Sequence, residues 1–329
     1  MNIFVSGAAG FVGSNLINRL QVEQNNIFVL VRNTAVESNK NVKVIEGDIL
    51  DIDSFAGALK TCDLVFHCAA YVSFHKRNYT RAYKINVEGT RNVLEAAFRG
   101  CVSKFVHLSA CAVFGYTKNQ DKVLDESEYP LLKKNNIYAY TKALAEKEVL
   151  NYVEKGLNAS IANIATVYGQ GDRKLNSGAS IKGLCEGKMK FVPPGGTSYV
   201  AVDDLVDGLL LLAEKGEPGE RYIFCTENLL YRELLRRIAK TLNVKPPHFV
   251  LPKWSYLPFL VAGNILECFS NVSQENVNLI SSQIVKEVFR FKYFNSIKAR
   301  DELGWSPQQS LENAVRQAIE YYRENQLLK

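Results

Sequence analysis

What the 329-residue chain lacks narrows its class before any motif is read. Its seven cysteines (Cys62, Cys68, Cys101, Cys111, Cys185, Cys225, Cys268) are odd in number, widely spaced and form no C-x-x-C pair. A disulfide framework and a thiol redox motif are therefore not expected, and a reducing cytoplasmic setting fits best. The four histidines, His67, His75, His107 and His248, show no ligand spacing, which argues against a metal site. No run of five or more like charges occurs and the net charge is only +6, so a nucleic-acid tail is not expected, while an anionic small ligand is tolerated. There is no internal repeat or low-complexity tract. The first apolar strand begins at once, leaving no expectation of a signal peptide. Long apolar runs are also missing. The nearest, Phe249 to Leu266, is interrupted by Pro252, Lys253 and Pro258 and is too short to cross a bilayer, so no integral membrane segment is expected. A buried helix or an apolar lid over a substrate is the favoured reading there, with a membrane-surface segment as the alternative.

What remains is an ordinary globular composition, 47% hydrophobic and 22% charged. The length exceeds the usual size of one core, so a large domain with a smaller lobe is expected. The first half alternates short apolar runs with amphipathic stretches, the pattern of a parallel sheet crossed by helices. Strands are predicted at Ile3–Ser6, Ile27–Val31, Lys43–Glu46, Leu64–His67, Phe105–Leu108 and Ser160–Asn163. Helices are predicted at Phe11–Gln24, Ile52–Lys60, Tyr79–Arg99, Tyr138–Lys155 and Ser177–Glu186. The regularity fades after Thr166. Residues 1–170 then form the first domain, 199–225 return to it, and 171–198 with 226–329 form the substrate-binding lobe, closed by helices near Ser296–Leu303 and Ser310–Glu324.

Directly after Ile3-Phe4-Val5 come Gly7, Gly10 and Gly13, joining a strand to a helix whose apolar face starts with Phe11 and Val12. This spacing points to a dinucleotide pyrophosphate site of the Rossmann type, the alternative being a glycine turn with no ligand. The first glycine allows the tight turn, the second the approach of backbone to phosphate, and the third close packing of helix on strand. The helix N-terminus supplies unpaired N–H groups to the anion. At the end of the second strand stands Val31-Arg32, with no carboxylate for a ribose diol. Arg32 can instead fork onto a 2′-phosphate, which favours NADP(H) over NAD(H), unless it is a solvated loop residue. Asp48-Ile49, after the third strand, can clasp the adenine, although a turn-capping role for Asp48 is nearly as well supported. Ala69 and Ala70, after His67-Cys68, are small enough for a cofactor to pass. His67 itself reads as a core histidine.

Tyr138 and Lys142 lie four apart at the start of a helix, on one face. An ammonium beside a phenol favours its phenolate, giving acid/base behaviour toward a carbonyl or alcohol oxygen while a hydride moves at carbon. Ser109, at the end of Lys104-Phe105-Val106-His107-Leu108, can hold the substrate oxygen near Tyr138, although taken alone a serine there reads first as a turn former. Asn86 sits in a helix that it does little to favour, which points to a polar task such as bonding backbone near the site.

With these pieces in register the chain resembles the extended short-chain dehydrogenase/reductases, which include sugar-nucleotide epimerases, dihydroflavonol reductases and 3β-hydroxysteroid dehydrogenases. The resemblance spans the glycine motif, Gly47-Asp48-Ile49, Val65 to Ala70, Asn86 to Thr90, Tyr138/Lys142, Val167 to Asp172, Val200 to Asp204, and Leu303-Gly304-Trp305-Ser306-Pro307. It implies an α/β fold, a Rossmann-type doubly wound parallel sheet with a smaller C-terminal lobe. It also implies Ser109, Tyr138 and Lys142 as the catalytic set, backbone from Ile164 to Thr166 against the nicotinamide, and a homodimer through the helices bearing Asn86 and Lys142. Two departures separate the branches. The epimerase serine, counted back from Phe114-Gly115, falls on Ala110, and Ser109 matches the reductase placement instead. Thr197-Ser198 stand where sugar-nucleotide enzymes carry an arginine for the substrate phosphate. Both, with Val31-Arg32, favour an NADP-dependent carbonyl reductase of an apolar small molecule, with an NAD-dependent sugar-nucleotide epimerase or dehydratase as the alternative and a cofactor-binding regulator without turnover as a third reading.

Overall fold

The computed structural model describes residues 1–23, 25–32, 38–128, 136–269 and 282–328, the side chains of 266–269 apart. The helix end predicted at Gln24, the Cys268 thiol and Lys329 lie outside the described residues. Strand β1 (Asn2–Ser6) shows why the first half folds as it does. Ile3 and Val5 join one buried layer with Leu16, Ile17 and Leu20 of α1 (Phe11–Val22), while Phe4 joins another with Phe55 and Val93. A strand that is apolar on both faces belongs in the middle of a covered sheet. The chain continues through β2 (Asn26–Val31), β3 (Val42–Glu46), α2 (Ala56–Leu59) and β4 (Leu64–His67). Helices α3 (Tyr79–Tyr83) and α4 (Gly89–Arg99) are joined by a π-helical turn at Lys84–Glu88, so the stretch predicted as one helix is continuous but locally widened around Asn86. Next come β5 (Lys104–Ala110), α5 (Ile137–Glu154) and β6 (Ala159–Ile164).

After β6 the chain bends at Ala165 and enters β7 (Thr166–Tyr168), α6 (Gly178–Cys185), β8 (Phe191–Val192) and β9 (Gly196–Ala201). Helix α7 (Val202–Lys215) and β10 (Arg221–Phe224) follow. The main sheet has seven parallel strands in the order β10-β6-β5-β4-β1-β2-β3. Successive strands leave in opposite directions from the β1/β4 junction, which opens a crevice at their carboxyl ends. The Rossmann-type doubly wound sheet read from the sequence is the observed one.

Segment 199–225 does not return to this sheet as a unit. Helix α7 and β10 do, but β9 is central in a second sheet. It pairs antiparallel with β11 (Glu227–Leu230) and parallel with β7 and β13 (Phe291–Lys292). The position beside β6 is already taken by β10, whose Phe224 carbonyl also accepts from the Ala165 N–H at 3.1 Å. Around the second sheet pack α6, α8 (Tyr231–Leu242) and α12 (Leu311–Glu324). Strand β12 (Phe249–Val250) pairs with β8 and leads into α9 (Tyr256–Phe269), α10 (Ser282–Val288) and α11 (Ile297–Leu303). Among the described residues, helix α9 is covered on one side only. Tyr256 and Phe259 pack on Phe289 and Gly263 is buried, whereas Leu257, Val261 and Ile265 face outward.

Buried carboxylates fasten the C-terminal elements. Asp172 accepts the N–H groups of Asn176, Ser177 and Gly178 and so caps the start of α6. Asp204 of α7 accepts those of Gln308 and Gln309 at 2.8 and 3.0 Å, and its own carbonyl accepts from the Trp305 indole at 2.8 Å.

Candidate active site

The glycine turn closes the crevice from below. Gly7 has φ +74°, and a Cβ there would lie 2.6 Å from the Ala69 nitrogen and 2.7 Å from the Cys68 carbonyl carbon. A Cβ on Gly13 would meet the Gly7 oxygen at 2.3 Å. Any side chain at either position would force the β1 turn, the β4 end and α1 apart. Gly10 caps α1 without a side-chain hydrogen bond, and the first turn carries no acid. The N–H groups of Phe11, Val12 and Gly13 therefore open the helix toward the crevice without a competing carboxylate. This cradle fits a dinucleotide pyrophosphate.

At the outer strands Arg32 is exposed, with its guanidinium 3.9 Å from the Asp48 carboxylate. The tip of β2 carries no acid of its own, but the end of β3 brings one beside it. Asp48 also accepts the Leu50 N–H at 3.0 Å, the turn role weighed against adenine binding. Ile49 is buried against Gly89, where a Cβ would come within 2.6 Å of its Cδ1, and its carbonyl accepts from Asn92.

Ala69 and Ala70 follow β4 into the crevice. Behind them, fully buried His67 bridges β1 and α4, with Nδ1 2.6 Å from the Ser6 hydroxyl and Nε2 2.9 Å from that of Thr90. Thr90 donates to the Asn86 carbonyl, so the imidazole donates from Nε2, accepts at Nδ1 and is neutral. Burial, with Lys142 adding to it, pushes its pKa down to about 3. Asn86 has the backbone task expected of it. It accepts the Tyr71 N–H at 2.7 Å, donates to the Tyr71 carbonyl at 3.0 Å, and donates to Thr141 of α5 at 2.9 Å. The loop after β4 is thereby tied to the helix that carries Tyr138 and Lys142.

Asn136 starts α5 by accepting the Ala139 N–H at 3.2 Å. Tyr138, Lys142 and Glu146 then follow at intervals of four along one stripe. Tyr138 is partly buried, edge-on to Phe74 with ring centroids 6.3 Å apart. Its phenol is pushed up to about 12, by burial first and by Cys111 second. The lowering expected from Lys142 is absent, because the ammonium is engaged elsewhere. It donates to the Leu108 carbonyl at 2.5 Å and lies 3.2 Å from Nε2 of His107. Burial brings the Lys142 pKa down to about 8, against the opposing pull of Glu146.

Ser109 is not where the sequence reading put it. Its hydroxyl donates to Glu146, whose carboxylate also accepts from Asn163 at 2.7 Å and Arg221 at 2.9 Å. Ser109, Asn163 and Arg221 thus gather around a fully buried carboxylate between α5, β5, β6 and β10. Glu146, His107 and Asn163 were missed from the sequence. The signal for Glu146 was its spacing of four from Lys142 on a face otherwise apolar. At the bend after β6, Ile164 ends the main sheet and Thr166 starts the second, its hydroxyl 3.3 Å from that of Thr197. Among the described residues, no group of three or more His, Cys, Asp or Glu is arranged to hold a metal.

A sequence model of the NAD-dependent epimerase/dehydratase family matches residues 3–225, from the start of β1 to just beyond β10. The chain belongs to that family. It is an NAD(P)-dependent enzyme of the extended short-chain dehydrogenase/reductase type. It is 26% identical to sterol demethylase protein B of Methylococcus capsulatus over 100% of both chains. It is 27% identical to human dTDP-D-glucose 4,6-dehydratase over 98% of this chain and 90% of that protein. The crystal structure of gox2253 superposes with a TM-score of 0.83 at 31% identity, covering 99% of each chain. Members similar to this chain thus include both sterol-modifying and sugar-nucleotide enzymes.

Proposed function

We propose that this family member interconverts a carbonyl and an alcohol on an apolar small molecule, using NADP(H) in preference to NAD(H), with Tyr138 as the acid/base group. The observation that carries the reading is the state of Thr197 and Ser198. Both are buried in β9, and the Ser198 hydroxyl engages Asn228 and the Lys292 carbonyl. A sugar nucleotide needs cationic groups for its pyrophosphate. This stretch of β9 supplies none, and Phe74 beside Tyr138 offers an apolar wall instead. Similarity to a sterol-modifying protein agrees with this reading. The alternative, a sugar-nucleotide epimerase or dehydratase, draws on the comparable similarity to the human dehydratase.

When bound, the nicotinamide supplies or accepts the hydride. The chain's part is to hold the partners and move the proton. A phenol whose pKa is raised to about 12 keeps its proton at neutral pH, so Tyr138 is poised to donate it to a carbonyl oxygen, the direction of reduction. Lys142, one turn along, stabilises the phenolate left behind once its ammonium exchanges the Leu108 carbonyl for it. Ser109 acts through Glu146 as a positioning residue, and Asn86 positions the loop bearing Ala69 and Ala70. The same reading includes a homodimer through the helical stretch bearing Asn86 and through α5, whose shared groove is lined by Tyr83 of α3, Val87 of the π-helical turn and Leu144 of α5.

The test is NADPH consumption by the purified chain with a panel of aromatic and steroid-like carbonyl compounds. Turnover of these, with no binding of UDP-glucose by calorimetry, is the expected result. Conversion of a nucleotide sugar without added reductant would establish the alternative.

A further inference from the structure

We propose that the outer face of α9, with the adjoining corner of β8 and β12, is a docking surface for an anionic lipid bilayer. The helix has two apolar stripes. Tyr256, Phe259 and Gly263, at spacings of three and four, turn inward, the first two against Phe289. Leu257, Val261 and Ile265, at spacings of four, turn outward and are 64%, 55% and 52% exposed. Trp254, just before the helix, is 77% exposed, and Phe249 is 58% exposed edge-on to the exposed Phe191. An apolar side chain gains nothing from water. Six such residues in two segments joined by the β8/β12 pair form a patch of the kind that marks an interaction surface.

Charge decides what covers it. No charged residue occurs from Trp254 to Ile265. The flanking positions are basic: Lys188 and Lys190 precede Phe191, Lys245 precedes Phe249, and Lys253 precedes Trp254, all of them exposed. In residues 186–191 and 245–265 these four lysines stand against one acid, Glu186, which pairs with Lys188 at 2.7 Å. An apolar stripe with a lysine rim matches a bilayer whose headgroups are negative. A tryptophan at the rim fits the headgroup level. A second copy of the chain would set the same lysine rim against itself. The outward stripe runs for only about 12 Å, so the helix lies in the interface plane. Among the described residues, no helix is long and apolar enough to cross a membrane.

The test uses the full chain with vesicles of phosphatidylcholine alone and with roughly 30% phosphatidylglycerol. The chain has two tryptophans and Trp305 is buried, so a fluorescence change on adding vesicles reports Trp254. Flotation with the anionic vesicles, a blue shift that Trp254→Phe abolishes, and a loss of affinity of roughly tenfold or more in L257D/V261D and in K190E/K253E are expected. Should the aspartate pair fail to fold, judged by circular dichroism, Trp254→Glu at the most exposed position carries the same test. No flotation at low salt, or equal flotation by folded L257D/V261D, overturns the proposal. So does concentration-dependent self-association, without lipid binding, that the same variant removes.

Discussion

The hydroxyl of Ser109 donates to the carboxylate of Glu146, on the stripe of α5 that also carries Tyr138 and Lys142. A serine at the end of β5 is therefore committed to the protein interior. Ser109→Ala should lower stability by about 1.5–3 kcal/mol, the worth of a hydrogen bond to a buried charge, and slow turnover less than roughly tenfold. Thermal unfolding and steady-state kinetics measured together check this. A large loss of turnover at unchanged stability would return Ser109 to the substrate.

Tyr138→Phe should behave in the opposite way. It removes only a hydroxyl from a partly buried ring, so stability should hold while turnover falls by roughly 10²–10⁴ and cofactor affinity stays the same. Lys142→Ala should impair both turnover and cofactor affinity, because the same ammonium is expected to serve phenol and ribose. Cofactor titration by fluorescence separates the two variants.

Past the ends of β2 and β3, the Arg32 guanidinium lies 3.9 Å from the Asp48 carboxylate, and on the proposed reading the two act in opposite senses on a ribose 2′-phosphate. NADPH should bind roughly tenfold tighter than NADH, and Arg32→Ala should erase most of that preference. Asp48→Asn should enlarge it, since the carboxylate 3.9 Å from the guanidinium repels a phosphate dianion. Equal affinities for the two cofactors in the unmodified chain would refute the assignment.

His67 ties stability to pH. Its folded pKa of about 3 lies below the ordinary 6.5, so below pH 6.5 the unfolded chain binds a proton that the folded chain does not. Stability should therefore fall as pH drops from 6.5 toward 3, by about 1.4 kcal/mol per unit, or about 2 kcal/mol by pH 5. Buried His107 is shifted in the same direction and adds to the slope. Urea unfolding at a series of pH values should show a shallower dependence for His67→Gln.

The glycine turn and the strand and helix that it joins could be read from sequence because their signals are local: an apolar run, three glycines at fixed spacing and an amphipathic helix. The orientation of Ser109 could not. All seven residues of β5 are buried, so no alternation of polar and apolar positions says which face a side chain takes. The sequence reading returns residues 199–225 to the main sheet, but the partners of β9 depended on β10 having filled the place beside β6, a contact between distant segments. Glu146 looked like one more helical acid until Arg221 arrived from far along the chain. Helix α9 reads as apolar all round, which suggests burial, yet among the described residues only one of its two stripes is covered.

The anchoring of α7 by the tail has a consequence for synthesis. The family match ends at residue 225, but the Asp204 carboxylate receives its backbone N–H donors only from Gln308 and Gln309, more than a hundred residues later. Until those residues leave the ribosome, this carboxylate lacks its donors and Phe224 lacks Trp305, its edge-to-face neighbour at 5.2 Å. The nucleotide-binding half emerges first but stays unfinished until residues 305–309 have followed it. For that interval its apolar layer should be open to chaperones and proteases.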